Sequence, residues 1–151
     1  MHRLLLAVLF MTLASAANAA GWVAEMVEDE GGPLLTAYVE SEAPNVWVPR
    51  LSFICGTEAG LRYLPTVDIG APDLSVDFTF STEQEEITLA MQYEAMDGAF
   101  GAYFGKNDKI IGLLEGGNDL LIRSSDPGVP PQTFTLAGSR AAIETVLAGC
   151  Q

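Results

Sequence analysis

Apolar and polar residues alternate along most of the chain after residue 22. The clearest case is residues 75–80, where Val76, Phe78 and Phe80 share one side of an extended segment. A period of two is typical of antiparallel strands that turn one face to the core. The same alternation, or a short apolar run between turn residues, recurs at residues 22–27, 34–39, 51–55, 61–64, 87–93, 100–104, 120–123 and 132–136. We therefore predict eight or so short strands.

The period changes near the end of the chain. Ile143, Val146, Leu147 and Cys150 follow the i, i+3, i+4, i+7 spacing of a helix with one buried side. Ser139 is the residue we expect to cap this helix.

Many short strands followed by a late helix predict a mainly β fold. We expect an antiparallel β-sandwich or an open barrel with a C-terminal helix. A fully covered α+β layer is the alternative. One further helical turn is expected between the strands, with Asn107 as its cap. No internal repeat or second domain is visible.

The first 19 residues have the pattern of a secretory signal peptide. The basic residue Arg3 precedes an apolar run over residues 4–13, and Ala17-Asn18-Ala19 is a typical cleavage site. An uncleaved anchor is the alternative, but this apolar core has ten residues and a spanning helix needs about 20. We therefore predict cleavage after Ala19, a single β-rich periplasmic domain over residues 20–151 and no stable membrane insertion afterwards.

The chain is acidic, with a formal net charge of −13, which becomes −14 when Arg3 leaves with the signal peptide. Such a surface repels nucleic-acid phosphates and anionic lipids. We therefore expect a protein or cell-envelope partner, and no nucleic acid.

The two cysteines are Cys55 and Cys150. In an oxidising compartment two cysteines most simply pair with each other. Both are expected to point into the core, Cys55 from a strand and Cys150 from the last helix. A bridge between them would contribute about 4–5 kcal/mol in the chain-entropy model, and it would hold a helix too short to be stable alone. Free reactive thiols are the alternative.

The predicted mature chain contains no histidine, because the single one is His2. This excludes Ser-His-Asp and Cys-His catalysis and histidine-ligated metal sites. Bridged cysteines would exclude thiolate chemistry as well. The two lysines, Lys106 and Lys109, belong to no Ser-x-x-Lys or phosphate-loop motif. We therefore expect a protein that is not an enzyme and has no cofactor and no metal.

Carboxylates are the remaining candidates for catalysis or metal binding. Glu83, Glu85 and Glu86 form the densest group and could act as a glycosidase-like pair. They lie between two predicted strands, so a solvated turn is the preferred interpretation. Residues 28–30, Glu-Asp-Glu, could offer oxygens to calcium, but they lack the alternating acids of a calcium loop. An acidic hairpin tip is preferred there.

Aromatic residues supply a candidate binding face. Phe100, Tyr103 and Phe104 lie among glycines, which let a ligand approach the backbone closely. Packing in the core is the preferred alternative for this group. Trp47 lies in a predicted loop and would suit contact with a partner if it were exposed, although packing over the core edge is the commoner outcome.

Several segments together resemble the VasI-like family of exported proteins associated with type VI secretion. They are Trp22, "LSFIC" at 51–55, "IIGLLEGGNDLLIR" at 110–123 and "FTLAGSRAAIETVLAGC" at 134–150. The same pattern is similar to that of invasion-associated locus B-like periplasmic proteins. The VasI-like resemblance implies an exported domain with paired cysteines and an accessory role in secretion. Neither resemblance implies catalytic residues.

The leading functional hypothesis is a non-enzymatic periplasmic domain that binds a protein or a cell-envelope component, in an accessory role to a secretion system. Two alternatives remain open. One is a carboxylate-dependent enzyme that acts on glycan or peptidoglycan. The other is a carrier of a small ligand at a barrel mouth near Phe100 and Tyr103.

Overall fold

The computed structural model describes residues 21–41 and 48–150. Nine antiparallel strands form one sheet in the order β1-β2-β3-β4-β7-β6-β5-β8-β9. The strands are β1 Val23–Asp29, β2 Gly32–Glu40, β3 Arg50–Cys55, β4 Ala59–Leu64, β5 Ser75–Ser81, β6 Glu86–Glu94, β7 Ala99–Phe104, β8 Asp119–Ser124 and β9 Gln132–Thr135. The helices are α1 Lys109–Glu115 and α2 Ser139–Ala148. The predicted mainly β fold with a C-terminal helix is confirmed.

The core lies between the inner face of this sheet and the two helices. Alternate residues of the strands point inward, as their period of two predicts, and the largest of them are fully buried: Phe53, Tyr63, Phe78, Phe80, Phe100 and Phe134. Helix α2 packs across β1, β2 and β3, and α1 packs against α2 and β6. The apolar stripe predicted for α2 is buried at Ile143 and Val146.

The N-terminal cap of each helix lies one residue away from the predicted cap. Helix α1 is capped by Asp108, whose carboxylate accepts from the amide of Ile110 at 3.1 Å, and not by Asn107. Helix α2 is capped by Gly138 in a left-handed conformation, φ +79°, and Ser139 is its first helical residue. Glycine is suited to Gly138 because a Cβ there would lie 3.2 Å from the carbonyl oxygen of Trp22.

Trp22 connects the two ends of the sheet. Its amide donates to the carbonyl oxygen of Ala137 at 2.9 Å, and its indole Nε1 donates to that of Thr135 at 3.0 Å. Gln132 on β9 also donates to Ser41, directly after β2. The sheet therefore curls until its first and last strands are joined at one end, which gives an open barrel.

The predicted disulfide between Cys55 and Cys150 is present. It joins the end of β3 to the residues directly after α2, across 95 residues of sequence. Since α2 makes its contacts with the first three strands, the bridge fixes this helix against that part of the sheet.

No helix within the described ranges is long and apolar enough to cross a membrane. The predicted signal peptide over residues 1–19 and the candidate Trp47 lie outside the described residues.

Candidate functional site

Arg62 is the centre of an ionic network on the outer face of the sheet. Its Nη1 lies 3.2 Å from the carboxylate of Asp29, its Nε lies 3.0 Å from that of Glu94, and its Nη2 lies 3.4 Å from that of Asp97. The Arg62 side chain is 22% exposed, and the three acids are buried to a similar degree. One guanidinium thus connects β4, the tip of the β1–β2 hairpin, the end of β6 and the turn that follows it.

The position of Asp29 shows that the β1–β2 hairpin bends over the sheet. In the register of the sheet, Arg62 lies opposite Ser52, Ser52 lies opposite Tyr38, and Tyr38 lies opposite Val23. In a flat sheet Asp29 would lie six residues beyond Val23, about 20 Å along the strand. Its carboxylate instead contacts Arg62. The hairpin tip therefore arches over the outer face of β3 and β4.

A cleft of about 170 Å³ lies beneath this arch. Val27 and Asp29 form its hairpin side, and Ser52, Ile54 and Arg62 belong to the sheet beneath. Cavities of about 150 Å³ have room for one benzene-sized group. The space therefore suits one side chain or a small molecule, and it is too small for a polymer chain.

Two glycines give the network its room. An added Cβ at Gly101 would lie 2.4 Å from Glu94 Oε1, and one at Gly60 would lie 2.8 Å from the ring of Tyr103. Tyr103 also donates its hydroxyl hydrogen to Glu94 Oε1 at 2.6 Å. The glycines near Tyr103 predicted the close approach of a ligand. At Gly101 the space is instead occupied by the side chain of Glu94.

The network changes the proton affinity of its members. Burial lowers the pKa of Arg62, but the interactions with Tyr103, Asp97 and Glu94 outweigh it and hold this pKa above its usual range. Burial raises the pKa of Tyr103, and its hydrogen bond to Glu94 raises this pKa further, although Arg62 opposes the change. Arg62 therefore keeps its charge and Tyr103 keeps its proton at neutral pH.

A second and larger cleft opens beside the network because β6 and β7 separate. The two strands pair at three positions, where Gln92, Glu94 and the residue between them face 99–101. The preceding part of β6 pairs with β5 alone, and the following part of β7 pairs with β4 alone. The cleft between them has a volume of about 530 Å³, and Leu89, Ala90, Tyr103 and Phe104 are among the residues that line it.

The hydrogen bonds between β5 and β6 show which main-chain groups of β6 point to the side of this cleft. The amide of Tyr93 donates to Leu74 at 2.8 Å, and the carbonyl oxygen of Glu85 accepts from Thr82 at 2.9 Å, both on the β5 side. Because bonding direction alternates along an antiparallel strand, the even-numbered residues of β6 direct their amide and carbonyl groups away from β5. Glu86, Thr88 and Ala90 therefore present an unpaired strand edge.

The structure separates the residues of the predicted binding face. Phe100 is 1% exposed and packs edge-on against Phe78 and Tyr93 in the core. Tyr103 is 50% exposed on the outer face. Residues three apart on one strand point to opposite sides, so Phe100 is a core residue and Tyr103 remains the accessible candidate.

The predicted acidic groups lie at turns and at the strand ends beside them. Glu83, Glu85 and Glu86 are all exposed; Glu83 accepts from Asn118, and Glu86 accepts from Ser81 and Arg123. Residues 28–30 lie at the arched hairpin tip, where Asp29 binds Arg62. Across the described part of the chain, no group of three or more His, Cys, Asp or Glu side chains has the arrangement of a metal site.

Sequence reasoning missed Arg62 and Glu94, which organise this surface. Arg62 is the one basic residue in its strand, and the residue opposite it on β7 is Gly101. A charged residue within an otherwise apolar strand, together with unexplained strand glycines, was the available signal. Asp29 is distant in sequence from Glu94 and Asp97, so its contact with Arg62 depends on the bend of the hairpin.

Among solved structures, the chain is similar to invasion associated protein B from Bartonella henselae, with a TM-score of 0.56 and 15% sequence identity. The match covers 85% of this chain and 92% of that one. This similarity concerns the fold, and it is compatible with the locus B-like resemblance seen in the sequence. The VasI-like resemblance finds no support in the comparisons. No family model and no curated protein matches the sequence.

Proposed function

We propose that this protein is a non-enzymatic exported domain that binds a protein or cell-envelope component at the cleft between β6 and β7. The observation that carries the proposal is the early separation of these strands, which leaves an unpaired edge beside half-exposed Tyr103. Main-chain groups at a sheet edge are a template for pairing with another chain. Tyrosine is well suited to an interface because its ring offers apolar area and its hydroxyl offers a hydrogen bond.

A periplasmic location is part of the same proposal. The Cys55–Cys150 disulfide supports it, because such bonds persist in oxidising compartments. The accessory role in secretion has the support of the sequence segments alone. Measuring secretion of a type VI substrate in a strain that lacks this protein tests that role.

The proposal that the protein is not an enzyme is supported by the exposed positions of Glu83 and Glu85 on a turn and of Glu86 at the start of β6. A glycosidase-like pair needs two acids facing each other across a bound sugar. We expect purified protein to leave peptidoglycan intact. Turnover that disappears in Glu83→Gln or Glu86→Gln would contradict this and favour the carboxylate enzyme.

Site-specific photo-crosslinking in whole cells tests the binding site. A photoreactive residue at Thr88, exposed on the unpaired part of β6, is compared with one at Thr133, exposed on β9. We expect a discrete crosslinked product from position 88 that is absent from position 133. Equal products, or none from position 88, would contradict binding at this cleft.

A further inference from the structure

We infer that the cleft takes an extended segment of a partner protein, which adds to the free edge of β6 as an extra strand and carries basic residues on its outer side. This inference rests on the proposed function and names the chemistry of the partner. Three features of the cleft carry it: the direction of the main-chain groups, the apolar side chains on the inner side and the charge on the outer side.

The free edge is long enough to bind a short strand. Glu86, Thr88 and Ala90 each direct one amide and one carbonyl group away from β5, as the alternation from the Tyr93–Leu74 bond requires, and Ala90 lines the cleft itself. An extended peptide alongside meets these groups with its own alternate residues. Main-chain bonding of this kind gives affinity, and the side chains on either side give specificity.

The inner side of the cleft calls for apolar residues in the partner. Ile87 and Leu89 point to the core side, opposite Phe80 and Phe78, which are fully buried. Ile87 and Leu89 are nevertheless only half-buried, as is Phe104 across the cleft. A strand added beside β6 would place every second side chain against these groups and cover them.

The outer side of the cleft calls for basic residues. Where the two strands meet, three carboxylates, those of Asp29, Glu94 and Asp97, surround the single guanidinium of Arg62, so acidic groups outnumber basic ones there. Asp108 also lines the cleft. The whole chain carries 20 acidic residues against 7 basic ones. Like charges would therefore oppose a second copy of this chain in the cleft, and they favour a partner with lysine or arginine at its outward positions.

A peptide of ten residues with alternating valine and lysine is the probe for this inference, and its binding to wild-type protein is measured by fluorescence anisotropy. The matched control alternates valine and glutamate. We expect the lysine peptide to bind at least about tenfold more tightly at low salt, because opposite charges attract most strongly when screening is weak. Equal binding of the two peptides would overturn the charge assignment.

N-methylation separates strand addition from general attraction between charges. One lysine peptide is methylated on the main-chain nitrogen of every valine, and a second on the main-chain nitrogen of every lysine. Each peptide therefore loses the N–H donors along one of its two edges. Strand addition predicts that one of them binds at least about tenfold more weakly than the other, because β6 pairs with only one edge of the peptide. Equal affinities would overturn strand addition.

A variant of the protein makes the same test from the other side. Ala90→Pro removes an amide N–H that points into the cleft. The substitution breaks no hydrogen bond between β6 and β5, and Ala90→Ser keeps the amide. We expect Ala90→Pro to bind the lysine peptide at least about tenfold more weakly than Ala90→Ser does. Thermal unfolding checks that both variants fold, and if Ala90→Pro does not, the N-methylated peptides decide with wild-type protein.

The outcomes distinguish this inference from the proposed function. Crosslinking at position 88 together with equal binding of the two methylated peptides would leave the binding cleft standing and remove strand addition. If position 88 gives no crosslink and the lysine peptide does not bind, both the proposed function and strand addition are contradicted.

Discussion

The carboxylate of Glu94 lies directly over Gly101, where an added methyl carbon would come within 2.4 Å of its Oε1. That position lets Glu94 accept the Tyr103 hydroxyl at 2.6 Å and face Arg62 Nε at 3.0 Å. The absent side chain at Gly101 is therefore a condition for the ionic network, and it fixes the side chains at the closed end of the β6–β7 cleft.

Gly101→Ala should displace Glu94 and weaken the network. We expect it to lower the free energy of unfolding by about 1–3 kcal/mol, the usual cost of forcing an extra methyl group into a packed site. The control is Gly112→Ala, in the exposed middle of α1, where an added Cβ has no neighbour within 4 Å. That substitution should stabilise the protein by about 0.5–1 kcal/mol. Urea denaturation of both variants measures the difference, and a neutral Gly101→Ala would contradict the close contact.

Arg62→Ala should destabilise the protein because it leaves three carboxylates together without their cation. Since the side chain is 22% exposed, we expect about 1–3 kcal/mol, less than the cost of breaking a fully buried pair. Arg123→Ala is the matched control, because its pair with Glu86 is about half-exposed on both sides and should be worth less than about 1 kcal/mol. Equal losses of stability in the two variants would show that Arg62 does not hold the hairpin.

Tyr63 should make the protein sensitive to alkaline pH. Its side chain is 1% exposed, its hydroxyl has no hydrogen-bond partner among the described residues, and burial raises its pKa. The unfolded chain ionises this tyrosine near pH 10, whereas the folded chain holds the proton. The stabilising contribution is thus fully present below pH 10 and is lost as pH rises towards the folded pKa, by about 1.4 kcal/mol per pH unit.

Tyr63→Phe checks that assignment. At pH 7 we expect unchanged or slightly higher stability, because the variant removes a buried hydroxyl that makes no hydrogen bond. Between pH 10 and 11 its unfolding free energy should fall less steeply than that of the wild type. Chemical denaturation at pH 7, 9, 10 and 11 gives both slopes, and parallel slopes would contradict a buried, protonated Tyr63. Tyr38 and Tyr103, whose pKa values are also raised, are present in both proteins and cancel in the comparison.

Trp22→Phe should weaken the junction between the ends of the sheet. It keeps an aromatic ring but loses the 3.0 Å hydrogen bond to the carbonyl oxygen of Thr135, at a cost of about 1–2 kcal/mol. Trp22→Ala also removes a buried ring and should cost about 3–5 kcal/mol. Equilibrium denaturation compares the two, and hydrogen exchange should show the β9 amides exchanging faster in both. Stability unchanged in Trp22→Ala would contradict the junction.

The strands, the last helix and the disulfide could be predicted from the amino-acid pattern. Their signals are local: a period of two in residues such as Val76, Phe78 and Phe80, a helical spacing at Ile143 and Val146, and two cysteines that both belong to buried faces. The cap of α1 was missed by one residue, because Asn107 and Asp108 are equally good caps and only the turn geometry selects between them.

The candidate site could not be predicted in this way, because it depends on contacts between distant segments. Asp29, Arg62 and Glu94 are far apart in sequence. Asp29 reaches Arg62 because the β1–β2 hairpin bends over β4, and Glu94 reaches it across Gly101 of β7. The cleft exists because β7 leaves β6 after three pairs to continue beside β4. A period of two shows which face of a strand is buried, but it carries no information about which strand lies at its edge or how far their pairing extends. Those depend on main-chain bonds between distant segments, which the side-chain pattern does not record.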